Sequence, residues 1–84
     1  MITVRLPAML RRPEMPLEFD IDTPVESIEE LIGTLEARYP GLAHDLDDSI
    51  YNFAVNDTLV LRGVMQHPLR SGDVVEVIPT IAGG

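Results

Sequence analysis

One segment of this chain, and only one, repeats its apolar residues at helical spacing. Ile28, Leu31, Ile32 and Leu35 recur in steps of three and four, with Tyr39 one turn further on. The other apolar segments alternate, as strands do. A lone helix cannot cover both faces of a sheet, so it packs across one. The expected fold class is therefore α+β: a mixed sheet of about five strands with one main helix across one face.

The elements follow in order. Ile2, Val4 and Leu6 alternate with Thr3 and Arg5, which predicts a first strand. Arg11-Arg12-Pro13-Glu14 is a polar break. Leu17, Phe19 and Ile21 alternate with Glu18, Asp20 and Asp22, three carboxylates expected to face water. The two strands and the short break between them read as a hairpin. Thr23-Pro24-Val25-Glu26 predicts the helix start, with Thr23 as cap, Pro24 in the first helical position and Glu26 bonding back. The helix runs to about Tyr39, where Pro40-Gly41 stops it. Leu42 to Asp48 is a connector of about one helical turn.

Tyr51, Phe53 and Val55 form a third strand, and Asn56-Asp57 is a good two-residue hairpin turn. Leu59, Val60 and Leu61 form a fourth strand. Ser71-Gly72-Asp73 is a turn, Val74 to Ile78 the last strand, and Pro79, which offers no amide, marks its end. The first and last strands are both strongly apolar, so they are expected side by side and parallel at the sheet centre. The predicted core is Ile2, Val4, Leu6, Ile28, Leu31, Leu35, Phe53, Val55, Leu69, Val75 and Val77.

Eighty-four residues make one small domain, and without cysteine it stands on packing alone. The formal net charge of −8 disfavours nucleic acid and anionic membranes and favours a basic protein partner. All six cations are arginine. That is either a general arginine bias or a means of keeping amines away from an activated acyl group. No segment reads as a signal peptide or membrane span, so the expected location is cytoplasmic.

Enzyme chemistry is not expected. His44 and His67 have no partners at ligand spacing, so no metal site is predicted. Asp45, Asp47 and Asp48 lack the glycine and glutamate of a calcium loop and read as a solvated acidic loop. There is neither a phosphate loop nor a nucleophile elbow. No bound cofactor is predicted.

What remains is the end of the sequence, read as Thr80-Ile81-Ala82-Gly83-Gly84 with a free carboxylate on Gly84. Frayed ends also contain glycine. A Gly-Gly end, however, is thin enough to thread a narrow site. Residues 80–84 are thus expected to be a flexible tail on a body of residues 1–79. Five residues span at most about 17 Å. If Glu76 faces water, Val74 and Ile78 share its face beside the tail, a candidate partner-binding patch.

The chain resembles the ubiquitin-like sulfur carriers of the ThiS/MoaD family. The resemblance lies in Pro68-Leu69-Arg70-Ser71-Gly72-Asp73-Val74-Val75, Ile78-Pro79 and Ile81-Ala82-Gly83-Gly84. Phe53-Ala54-Val55-Asn56-Asp57, and Leu35, Glu36 and Tyr39 before Pro40-Gly41, also fit. The resemblance implies a β-grasp fold for residues 1–79 and a carrier role. An E1-like activating enzyme would use ATP to adenylate Gly84, and sulfur would displace AMP to leave a thiocarboxylate. A sulfur-accepting biosynthetic enzyme would take that sulfur, with Ile81, Ala82 and Gly83 as the threading segment.

Three pathways are open to such a carrier. The chain is long for the thiamine branch. Val4 to Arg11 looks like the cysteine-pathway carriers, while Thr23 to Glu26 fits the molybdopterin-synthase small subunit. Two other classes stand beside the carrier: a ubiquitin-like protein modifier joined to lysines, and a β-grasp interaction module with an idle tail.

Overall fold

The computed structural model describes residues 1–10, 12–46 and 51–80. Its elements are β1 (Ile2–Arg5), a 3-10 turn (Ala8–Leu10), β2 (Glu18–Ile21), α1 (Ile28–Arg38), α2 (Leu42–Asp45), β3 (Tyr51–Val55), β4 (Thr58–Val60) and β5 (Val74–Pro79). The strands form one mixed sheet in the order β2-β1-β5-β3-β4. As expected, β1 and β5 are adjacent and parallel, with Val4 opposite Val75. Antiparallel pairings complete the sheet on both sides.

Alternation decides which face is buried. Ile2, Val4, Ile21, Phe53, Val55, Val60, Val75 and Val77 are buried, and Ile28, Leu31 and Leu35 of α1 are buried with them. Every residue of the predicted core is in this cluster. It also takes in Leu10, Met15, Val25, Leu42, Leu46 and Tyr51, which come largely from connections rather than from strands or the main helix.

The helix start differs from expectation. Thr23 to Glu26 is not helical, and the cap is Ser27, whose Oγ accepts from the Glu30 amide at 3.2 Å. The reason lies outside the segment. The Glu26 carbonyl accepts from Leu69, Ser27 bridges to Pro68, and the first two helical amides, Ile28 and Glu29, donate to the carbonyls of His67 and Met65. Val25 is buried ahead of the helix, which begins where the 65–69 loop satisfies its first free donors.

Three smaller differences have similar causes. The β1–β2 connection is not a short break but an excursion over residues 6–17 with Leu10 and Met15 buried. β4 ends at Val60, leaving Leu61 outside the ladder. β5 runs on to Pro79, which sits opposite Tyr51 in the ladder. The hairpin turn is as read: Asn56 and Asp57 have φ of 51° and 69°, the left-handed pair that matches strand twist.

Candidate functional site

The candidate site is the sheet face turned away from α1, together with the end of β5 that leads into the tail. Ile81, Ala82, Gly83 and Gly84 lie outside the described residues. Thr80, exposed, is the last residue described before them.

β5 is held in register from its first residue. The Asp73 carboxylate accepts from the Arg70 amide and from Asn56 Nδ2, both at 2.9 Å. Asn56 Oδ1 in turn accepts from the Val74 amide at 2.9 Å. The Arg70 amide, then the Asn56 amide group, hold the Asp73 carboxyl below the usual carboxylate range, against a small opposing effect of burial. Gly72 takes φ 97° in this turn, a conformation that side chains resist. The turn before β5 is thereby tied to the hairpin turn after β3, and the strand carrying the tail is fixed at both neighbours.

Register gives the composition of the open face. One row crosses all five strands: Glu18, Arg5, Glu76, Ala54 and Leu59. Arg5 Nε donates to Glu18 at 2.6 Å, and that bond, with the Glu18 charge, raises the Arg5 pKa further. The row on one side holds Asp20, Thr3 and Val74, with Thr3 Oγ1 donating to Asp20 at 2.8 Å. The row on the tail side holds Ile78 and Asn52. The face is thus charged over β2 and β1, while β3 and β4 offer Ala54 and Leu59, with Asn52 toward the tail side.

Val74 and Ile78 are half-buried and lie on this face with Glu76, as alternation placed them. Sequence reasoning missed their extension. Leu59, on this face, is 47% exposed, and Leu61, just beyond the end of β4, is 77% exposed. Ala54, 3% exposed, gives a flat floor between Glu76 and Leu59. The signal was present: Leu59 and Leu61 share a parity opposite to Val60.

Among the described residues no group of histidines and carboxylates could hold a metal ion. Among the same residues no helix is long and apolar enough to cross a membrane. The solvated acidic loop is described only at Asp45, which meets Arg12 at 3.5 Å. Asp47 and Asp48 lie outside the described residues.

The ThiS family matches residues 4–84, nearly the whole chain including the Gly-Gly segment. The chain belongs to the ThiS family. A chain of the Amycolatopsis orientalis BexX/CysO complex superposes with TM-score 0.82 at 25% identity, covering all of both chains. Mycobacterium tuberculosis CysO gives TM-score 0.82 at 26% identity over 96% of this chain and all of the other. A chain of the complex of subunits 1 and 2 of molybdopterin-converting factor from Helicobacter pylori 26695 gives TM-score 0.61 at 24% identity. That match spans 99% of this chain and 97% of the other, a likeness of fold. No curated protein sequence matches the chain.

The fold is therefore the β-grasp of ubiquitin-like proteins. As a ThiS family member the protein is a ubiquitin-like sulfur carrier. Two of the similar structures are complexes of such small chains with a second protein.

Proposed function

We propose that the protein carries sulfur on the carboxylate of Gly84 and is itself a substrate of enzymes rather than an enzyme. The observation that supports this most is the family match running through Gly83 and Gly84, directly after a strand at the centre of the sheet. In the first step a carboxylate oxygen of Gly84 attacks the α-phosphorus of ATP in an activating enzyme, and pyrophosphate leaves. A hydrosulfide sulfur then attacks the acyl carbon, AMP leaves with its electron pair, and the thioacid loses its proton. The resulting thiocarboxylate gives its sulfur to a biosynthetic enzyme. The open sheet face docks the partner, with Val74, Ile78 and Leu59 against it while Ile81, Ala82 and Gly83 thread the channel.

Two observations favour the cysteine branch over the molybdopterin branch. Val4 to Arg11 resembles the cysteine-pathway carriers, and the backbone agrees better with the two CysO matches than with the molybdopterin-converting factor chain.

The test is intact-mass measurement of protein from its native cell, and of purified protein with activating enzyme, ATP and a sulfur donor. The expected product has one oxygen replaced by sulfur. Removing Gly84 stops the acyl group about 3.5 Å short and abolishes the product. Gly83→Ala adds a Cβ that restricts the backbone and crowds the channel, so adenylation slows. Val74→Asp and Ile78→Asp weaken partner binding in a pull-down titration. Amide adducts on cellular lysines would instead identify a protein modifier. Full function without Gly83 and Gly84 would identify an interaction module.

A further inference from the structure

The connection from β1 to β2, residues 6–17, is much longer than the two to five residues that close most hairpins. It is not slack. The Leu6 amide donates to the Leu17 carbonyl at 2.8 Å and closes its base. The 3-10 turn is closed by Leu10 donating to the Pro7 carbonyl at 3.0 Å, and the Leu10 side chain is buried. Met15, fully buried, is set by its amide donating to the Arg12 carbonyl at 3.0 Å. Arg12 itself reaches across to the Pro40 carbonyl at 2.7 Å. Pinned at these points, the connection holds its described side chains in place. Those it turns outward include Met9, 67% exposed, and Leu17, 38% exposed.

The register says where they are. Arg5 lies opposite Glu76 in a parallel pair, so the chain leaves β1 at the end of the sheet from which β5 leaves toward the tail. Met9 follows Arg5 by the same number of residues as Thr80 follows Glu76. Leu17 sits at the start of β2, at that same end. Residues 80–84 span at most about 17 Å, so an enzyme that takes Gly84 must bring its surface that close to Pro79. Whatever stands at this end of the sheet then faces the enzyme.

We infer that Met9 and Leu17 form a second contact, distinct from the open sheet face, for the enzymes that process the tail. The occupant is the rim of the partner's tail entrance: an apolar recess for Met9, bordered by a basic side chain opposite the exposed Glu14. Methionine is unbranched and polarizable and packs against unlike surfaces. That suits a carrier that offers one end to an activating enzyme and then to an acceptor. This inference rests on the carrier reading.

The experiment measures adenylation rate against carrier concentration for wild type, Met9→Glu, Met9→Ala and Leu17→Glu. Gln66→Glu, which adds the same charge on the loop that meets the start of α1, serves as the control. The glutamate variants are expected to raise KM for the carrier tenfold or more, with kcat at saturation within about twofold and the thermal midpoint unchanged. Met9→Ala raises KM severalfold, and Gln66→Glu behaves as wild type. Wild-type turnover with both Met9 variants indistinguishable from it overturns this inference alone. A KM increase equalled by Gln66→Glu overturns it too, by assigning the effect to net charge. Wild-type protein that no activating enzyme adenylates overturns the carrier reading and this inference with it.

Discussion

At the scale of single residues, two kinds of side chain fix this molecule. The first is the fully buried aliphatic, such as Leu31, which α1 lays against the sheet. Leu31→Ala removes buried methyl groups and leaves a cavity, at a cost of about 2–5 kcal/mol in urea unfolding. The second is the carboxylate that collects amide donors. Asp73 bonds Arg70 and Asn56, and Glu36 accepts from the Gly41 and Ala43 amides at 2.8 and 2.9 Å. Both have their pKa lowered by those bonds, chiefly the backbone ones. Their stabilisation is therefore complete above the ordinary carboxylate pKa of about 4 and is lost as pH falls through the lowered folded value. Asp73→Asn cannot titrate. Wild type should exceed it in stability at neutral pH, and the gap should close in acid. A gap that stays constant from neutral pH to strong acid would show that charge at Asp73 is irrelevant.

At the scale of elements, the start of α1 separates local signal from tertiary context. Thr23-Pro24-Val25-Glu26 has the residues of a helix start, yet the cap is Ser27. Ser27→Ala should cost about 1 kcal/mol, while Thr23→Ala, at an exposed non-helical position, should be close to neutral in the same denaturant titration. The reverse order would restore the earlier start. What was legible in the sequence was whatever depends on periodicity: five strands, one main helix, and the buried parity of β1, β3, β5 and α1. The Asn56-Asp57 turn was legible because left-handed backbone has a residue preference. What was not legible depends on partners far along the chain. The 65–69 loop decides where the helix begins, and Leu10 and Met15 are buried because the excursion folds back on the body. No spacing rule predicts either. The candidate site divides the same way. Val74 and Ile78 followed from alternation, whereas Met9 stands at the tail end only through the parallel register of β1 with β5.

At the scale of the whole molecule, charge and topology act together. A net charge of −8 on so small a body extends attraction toward a basic partner over roughly a Debye length, ~8 Å at physiological salt. Association with the activating enzyme should accelerate at low ionic strength and slow steeply as salt rises, with a smaller change in dissociation. Stopped-flow rates independent of salt would assign recognition to apolar contact alone. The strand order has another consequence, which concerns synthesis. β5 joins β1 to β3, so a nascent chain that stops before Val74 has the helices and both hairpins but lacks the strand that joins the hairpins into one sheet. The sheet can close only after the ribosome has made and released the last strand. Folding thus inspects length: a chain cut short by damage or early termination cannot assemble its centre and remains open to proteases, and molecules that pass have been translated at least as far as the foot of the tail.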